Sequence, residues 1–301
     1  MHILVLGNTG YLGAHVAEHL RALPDMRVLV AGRSPAADIT VDLATARPKD
    51  LAALLAEAAP DAVVNCAGAT GGDAVTLAEV NARGPALLCA ALRVAAPGAR
   101  LVHLGSAAEY GPSEPGMRVT ESAATRPAGP YGATKLAGTV AVTASGLDAT
   151  VLRVGNPVGA GAPSTGLPGR VARLLADAGH DPDAELRLGD LSAHRDFVDA
   201  RDVARAARLA VMAAGPLPPV LNIGGGGDAR PVRDLVRLLA EAAGFRGRIV
   251  EAGSGGSARS AQVSWQCSDV TAARDTLGWT PTHTLDASVA ALWAAEWVPA
   301  R

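Results

Sequence analysis

The chain has 301 residues, a formal net charge of −2, and 49% hydrophobic against 19% charged residues. That is the profile of a well-buried globular protein with room for one large core or two lobes around a cleft. Near-neutral charge without basic or acidic blocks leaves no electrostatic footprint for nucleic acid, and no apolar run reaches membrane-spanning length, so neither partner is expected. The three cysteines, Cys66, Cys89 and Cys267, lack metal-ligand spacing and read as reduced thiols of a cytoplasmic protein. With the first strand predicted from residue 2, no signal peptide is expected.

In chain order, His2–Leu6 is an apolar run predicted as a buried parallel strand. It leads into Gly7-Asn8-Thr9-Gly10-Tyr11-Leu12-Gly13 and a helical pattern over 11–22. Glycines in a strand-to-helix turn let the backbone approach a pyrophosphate, whose charge is then held by unpaired N–H groups at the helix N-terminus. The plainer reading is a tight turn that needs glycine for its backbone angles; the setting between strand and helix favours a dinucleotide. Further strands are predicted at 27–31, 61–65, 100–105 and 149–154, alternating with helices at 48–58, 73–95 and 129–145. This is the pattern of an α/β fold with a doubly wound parallel sheet.

The Pro- and Gly-rich stretch 156–169 marks a change of lobe. Beyond it the pattern predicts a helix at 168–179, a strand at 185–188, a return for Phe197-Val198, a helix at 200–214 and a strand at 220–223. Helices at 231–243 and 286–297 follow, with Gly253–Ser260 a flexible loop at the cleft. The expected organisation is a dinucleotide-binding domain over 1–155, to which 195–225 returns, and a smaller substrate-binding lobe from 156–194 and 226–301.

Chemistry concentrates in Pro130-Tyr131-Gly132-Ala133-Thr134-Lys135, with Ser106 twenty-five residues before Tyr131. A phenol titrates near pH 10 in water and is a poor acid–base catalyst at neutrality. An ammonium four residues later on a helix lies on the same face and favours the phenolate. Lowering the phenol from about 10 to about 7 takes roughly 4 kcal/mol of preferential stabilisation. A serine within hydrogen-bonding reach would complete a site that moves a proton on and off a carbinol oxygen. His180 and His194 have no ligand partners at metal spacing, and no metal site is expected.

Together these residues resemble the extended short-chain dehydrogenase/reductase family, in its epimerase/dehydratase branch. The landmarks run in family order: Gly7, Gly10 and Gly13; Asp42-Leu43; Asn65-Cys66-Ala67-Gly68; Asn81; Ser106 through Gly111; Tyr131 with Lys135; Arg153-Val154-Gly155-Asn156; Arg195-Asp196-Phe197-Val198; and Leu277-Gly278-Trp279-Thr280-Pro281. The resemblance implies a Rossmann fold with Ser106, Tyr131 and Lys135 catalytic. It also implies cofactor contacts from Gly7, Thr9, Gly10, Tyr11, Leu12, Gly13, Cys66, Ala67, Gly68, Asn81, Tyr131 and Lys135. Asp42 and Leu43 resemble the pair that flanks the adenine, and Asn156, Arg195 and Arg259 resemble residues that grip a substrate diphosphate. A homodimer through the helices at 73–95 and 129–145 is implied likewise.

Two departures sharpen the expectation. An acidic residue about twenty positions past the glycines would bind the ribose 2′-hydroxyl of NAD. Here Gly32-Arg33-Ser34 stands instead, suited to a 2′-phosphate, so NADP(H) is expected over NAD(H); a solvated loop arginine is the alternative. Family dehydratases carry an Asp-Glu pair just after the catalytic hydroxyl residue, where this chain has Ala107 and Ala108, which disfavours dehydration. The reading is an NADP(H)-dependent oxidoreductase that reduces a keto group on a nucleotide-linked sugar, with Tyr131 as proton donor. Its alternatives are an NAD-dependent sugar-nucleotide epimerase, a ketoreductase for a small secondary-metabolite intermediate, or a non-catalytic NADP-binding sensor.

Overall fold

Seven strands, all parallel, form one sheet. Six are β1 (His2–Leu6), β2 (Arg27–Gly32), β3 (Ile39–Thr40), β4 (Ala62–Asn65), β5 (Arg100–Ser106) and β6 (Ala149–Val154). The chain then makes the short strands β7 (Asn156–Val158), β8 (Glu185–Leu188), β9 (His194–Arg195) and β10 (Phe197–Asp199) before β11 (Val220–Ile223) returns to the sheet edge. The spatial order is β11-β6-β5-β4-β1-β2-β3. From β1 the chain winds first toward β2 and β3, then toward β4, so the order reverses between β1 and β4. A crevice opens at the carboxyl ends of strands where such a reversal occurs. The computed structural model describes residues 1–251 and 263–296.

The strand sequences are continuously apolar because both faces are covered. Val5, Val64, Val102 and Leu152 face helices α1 (Tyr11–Arg21) and Ala200–Met212, where Val16, Leu20, Val203 and Ala207 complete one core. Leu4, Leu6, Val63 and Leu101 face the opposite layer with Leu51 and Leu55 of α2 (Pro48–Ala58). That layer also holds α3 (Ala74–Ala78), α4 (Gly84–Ala95) and α5 (Pro130–Thr143). A third core lies under α6 (Leu167–Ala178), with Ala200–Met212 counted as α7, α8 (Val232–Ala242), α9 (Thr271–Leu277) and α10 (Leu285–Glu296) following in the chain. It is built from Val171, Leu175, Leu186, Leu235, Leu239 and Leu292.

The C-terminal part is tied to the sheet at Trp279, which is wholly buried and whose Nε1 donates to the Asp202 carbonyl at 2.9 Å. The Asp202 carboxylate accepts from the backbone N–H groups of Thr282 and His283, both at 2.9 Å.

The sequence pattern predicted one helix over 73–95; the chain instead forms α3, a π-turn at Glu79–Arg83, and α4. The cause is Pro85. It has no N–H to give the carbonyl of Asn81 four residues before it. The turn widens, and the Gly84 N–H donates to Glu79, five residues back. The two-residue strand β3 and the seven-residue α9 escaped prediction because neither is long enough to show a period. The loop expected at Gly253–Ser260 lies outside the described residues.

Candidate active site

The glycine turn after β1 is held by contacts no side chain would allow. Gly7 has φ +81°, and a Cβ there would stand 2.7 Å from the Ala67 nitrogen. A Cβ at Gly13 would fall 2.1 Å from the Gly7 carbonyl oxygen. The turn therefore packs against the Cys66-Ala67 segment after β4 and against its own helix. Gly10 caps α1 without a side-chain acceptor, and no acidic residue stands in the first turn. The leading amides of α1 are left for an anion. A cavity of about 340 Å³ opens here, lined by Thr9, Gly10, Tyr11, Ala14, His15 and Ala160. His15 Nε2 is 2.8 Å from the Ala160 carbonyl, which ties the loop after β7 to α1. The Tyr11 hydroxyl is buried with no hydrogen-bond partner among the described residues. Burial, then the Asp199 carboxylate, raises its pKa, and Leu12 is half-buried beside it.

At the far end of the crevice, Arg33 is exposed where β2 ends, and Ser34 Oγ accepts from Ala36 N–H at 3.2 Å. One oxygen of Asp42 accepts from Ala44 N–H at 2.9 Å, and Leu43 is buried. Sequence reading missed the residue that shapes this loop. Arg83, from the π-turn, donates to the carbonyls of Leu43, Ala44 and Ala46 at 3.0, 2.8 and 2.9 Å. Nothing in its helical spacing signals a clamp on a loop about forty residues away.

On the other side of the switch point, the Asn81 side chain exchanges two hydrogen bonds with the Ala69 backbone, both 2.8 Å. It also donates to Thr134 Oγ1 of α5 at 3.3 Å. One amide thus joins the segment after β4 to the helix of Tyr131 and Lys135. Gly68 lies in the gap: a Cβ there would be 3.4 Å from Asn81 Oδ1 and 3.8 Å from Lys135 Nζ.

Lys135 is buried, and its Nζ donates to the Leu104 carbonyl at 2.5 Å. Burial pulls its pKa down to about 8, against the opposing pull of Glu109 and Cys66. The Cys66 thiol is pushed up to about 12 by burial. His103, wholly buried in β5, stays neutral because burial and then Lys135 lower its pKa well below the usual imidazole value.

Ser106 ends β5, and its Oγ accepts from Ala108 N–H at 3.2 Å. Gly132, next to Tyr131, lets α5 come down onto that turn, since a Cβ there would sit 2.4 Å from the Ala108 carbonyl oxygen. Packing thus carries the N-terminus of α5 to the Ser106 turn, and Lys135 lies one helical turn further along the same helix. Glu109 and Arg153, also unassigned from sequence, form a buried ion pair beside Ser106 at 2.7 Å.

Of the three residues matched to a diphosphate grip, two are described and one, Arg259, lies outside the described residues. Arg195 is buried and donates to the carbonyls of His194 and Val263, both at 2.7 Å. Burial lowers its pKa, opposed by Asp196. Asn156 donates to Gln266 Oε1 at 3.0 Å. Burial pushes the neighbouring Asp196 carboxyl up to about 6. Among the described residues, no group of three or more His, Cys, Asp or Glu is placed to hold a metal, and no helix is long and apolar enough to cross a membrane.

The model of the NAD dependent epimerase/dehydratase family matches residues 3–224. Among curated proteins the chain is 38% identical over 305 residues to a dTDP-6-deoxy-L-talose 4-dehydrogenase (NAD(P)(+)) from Kitasatospora kifunensis, covering 98% of this chain and 95% of that protein. Among solved structures it resembles RMD from Pseudomonas aeruginosa complexed with NADPH, with 25% identity, a TM-score of 0.83 and 98% of each chain covered. UDP-glucose-4-epimerase from Stenotrophomonas maltophila, with bound NAD and formylated UDP-arabinopyranose, matches at 25% identity and TM-score 0.82, also over 98% of each chain.

Proposed function

The chain belongs to the NAD dependent epimerase/dehydratase family and is an NAD(P)-dependent oxidoreductase or epimerase, and from that premise we propose that it reduces a keto group on a nucleotide-linked sugar. The relative from Kitasatospora kifunensis acts on a dTDP-linked 6-deoxyhexose at carbon 4, which makes a dTDP-4-keto-6-deoxyhexose the first substrate to try. The observation that carries the reading is the buried Lys135 at the switch-point crevice, on the helix whose N-terminus packs onto the Ser106 turn.

The residues present fit a dinucleotide. Gly7 and Gly13 let the turn fold tightly against Ala67 and its own helix, and the unpaired amides at the start of α1 face the cavity lined by Thr9, Gly10 and Tyr11. Thr9, Tyr11 and Leu12 would hold the pyrophosphate with those glycines; Asp42 and Leu43 would flank the adenine. Cys66, Ala67, Gly68 and Asn81 would wall the nicotinamide half. Arg33 and Ser34 would take a 2′-phosphate, so the reading favours NADP(H). The bound cofactor supplies hydride.

The protein's part is proton transfer and positioning. Ser106 would orient the substrate carbonyl, and Tyr131 would give its phenolic proton to the oxygen as negative charge develops there. Lys135 has one N–H committed to Leu104, which leaves donors for the cofactor ribose, and its charge favours the phenolate. Ala107 and Ala108 cannot move protons, so elimination is disfavoured. Residues 1–155 with 195–225 would hold the dinucleotide. The lobe from 156–194 and 226–301 would hold the sugar nucleotide, with Asn156, Arg195 and Arg259 toward its diphosphate. An enzyme drawing on NADPH in this way would work in the cytoplasm.

Epimerisation, the second reading, uses the same three residues reversibly and is supported by the likeness to UDP-glucose-4-epimerase. Mass spectrometry of the purified protein separates the two. Tightly retained NAD favours the epimerase, whereas a site that takes up NADPH on titration and oxidises it with the keto sugar favours the reductase. Failure to oxidise NADPH with any nucleotide-linked keto sugar overturns the reductase reading.

A further inference from the structure

Glu109 closes the short 3₁₀ turn Ala107–Glu109 after β5 and is wholly buried. A buried carboxylate persists only when its oxygens are paired, and here both are. Oε1 accepts from the Ser106 backbone N–H at 2.8 Å, and Oε2 accepts from Arg153 Nε at 2.7 Å. Gly105 makes the room, since a Cβ there would stand 2.8 Å from Oε1. Arg153 lies over the Tyr110 ring at 4.6 Å, and the Tyr110 hydroxyl donates to Asn222 at 2.8 Å, so the pair is fixed from both sides.

The same carboxylate shares the carboxyl end of β5 with Lys135: Lys135 Nζ donates to the Leu104 carbonyl, and Glu109 Oε1 accepts from the Ser106 N–H two residues further on. The ionisable groups that influence or adjoin that ammonium are Glu109, Cys66, His103 and, on its own helix, Tyr131. His103 is neutral and Cys66 is a thiol at neutral pH. Glu109, ion-paired with Arg153 at 2.7 Å, is the group beside Lys135 that is paired as a carboxylate.

We infer that Glu109 is a positioning residue, which holds the turn that presents Ser106 and supplies the counter-charge for the Lys135 ammonium. The inference rests on the catalytic reading of Ser106, Tyr131 and Lys135 given above. A carboxylate whose role ended at neutralising Arg153 would leave the ionisation of Lys135 unchanged when both were removed together, and this separates the two possibilities.

The test is a pair of variants. In Glu109→Gln the amide has one oxygen for two donors and brings an NH₂ group against the other. In Glu109→Gln/Arg153→Met no cation is stranded, and the amide oxygen remains for the Ser106 N–H. The NADPH dissociation constant and kcat with the keto sugar are followed from pH 6 to pH 9. In both variants the loss of kcat and of NADPH affinity with rising pH should begin about one unit lower than in the unaltered protein. The double variant should recover the melting temperature and keep the shifted limb. A double variant with the original limb in both measurements overturns the inference. Tyr131→Phe is run beside them. If it retains full turnover, the catalytic reading falls and the inference with it. If it is inactive while the Glu109 variants keep the original limb, the inference alone falls.

Discussion

Gly138 lies against Asn81 so closely that a Cβ on it would come within 2.2 Å of the Asn81 carbonyl oxygen. This contact seats α5 on the π-turn, and the Asn81 side chain continues it to Ala69 beside the cleft. The depth of Lys135 in the site therefore depends on a missing methyl group three residues further along its helix. An alanine inside a helix is ordinarily better than glycine by about 1 kcal/mol. Here the obstructing atom is backbone and cannot swing aside. Gly138→Ala should lower stability by about 1–3 kcal/mol and weaken NADPH binding; a rise in melting temperature would show that the helix can move without loss.

Tyr131→Phe keeps the ring and removes only the hydroxyl. Cofactor affinity should stay close to the unaltered value, and turnover should fall by roughly 10²–10⁴-fold, the usual range for a positioned acid–base group. Steady-state kinetics with the keto sugar, beside NADPH titration, check both halves. Full turnover would place the proton donor elsewhere.

Lys135 links activity and stability to pH with opposite signs. Its pKa is lowered on folding from 10.5 to about 8, so between those values the unfolded chain binds more protons than the folded one. Stability from this group therefore rises with pH across that window. The ammonium that serves Tyr131 and the ribose is lost over the same range, so kcat should fall above about pH 8. Lys135→Ala should abolish that limb and weaken NADPH binding. Melting curves from pH 7 to pH 10 for both proteins measure the stability half; a difference that does not change with pH would contradict the assignment.

Arg33 is exposed at the end of β2 and makes no ion pair among the described residues. Arg33→Asp replaces attraction for a 2′-phosphate by repulsion and offers the 2′-hydroxyl of NAD an acceptor. The NADP-to-NAD affinity ratio should drop at least tenfold, about 1.4 kcal/mol. Equal NADP affinities in the two proteins would remove the basis for the proposed cofactor preference.

The layer of α4 and α5 carries a prediction about assembly. Val94 of α4 and Val140 of α5 are 79% and 56% exposed, large apolar side chains on the outer layer of the sheet. Packing of α4 and α5 against a second copy would cover them and form a homodimer. Sedimentation at micromolar concentration should give the dimer mass. A monomer would show that these residues are solvated singly.

Much of the architecture is legible in local pattern. The apolar runs at His2–Leu6 and Ala149–Val154 were long enough to mark buried strands, and the glycines between β1 and α1 implied a turn that only a missing Cβ permits. Tyr131 and Lys135 could be joined on paper because four residues make one helical turn. What local pattern could not supply was the partner across the sheet. The clamp of Arg83 on Leu43, Ala44 and Ala46, and the pairing of Glu109 with Arg153, join residues about forty positions apart. Neither leaves a periodic trace.

The sequence by itself determined the alternation of buried strand and helix, the tight glycine turn after β1 and the one-turn spacing of Tyr131 and Lys135, because strand burial, glycine geometry and helical spacing are local properties of the chain. Tertiary structure alone decided how charged that site is. Burial against the carboxyl end of β5 pulls the Lys135 pKa down to about 8, while Glu109 and Cys66, brought in from other segments, pull it back up. Desolvation and Coulomb attraction depend on distances through the folded interior, and these exist only once the sheet has brought the distant segments together.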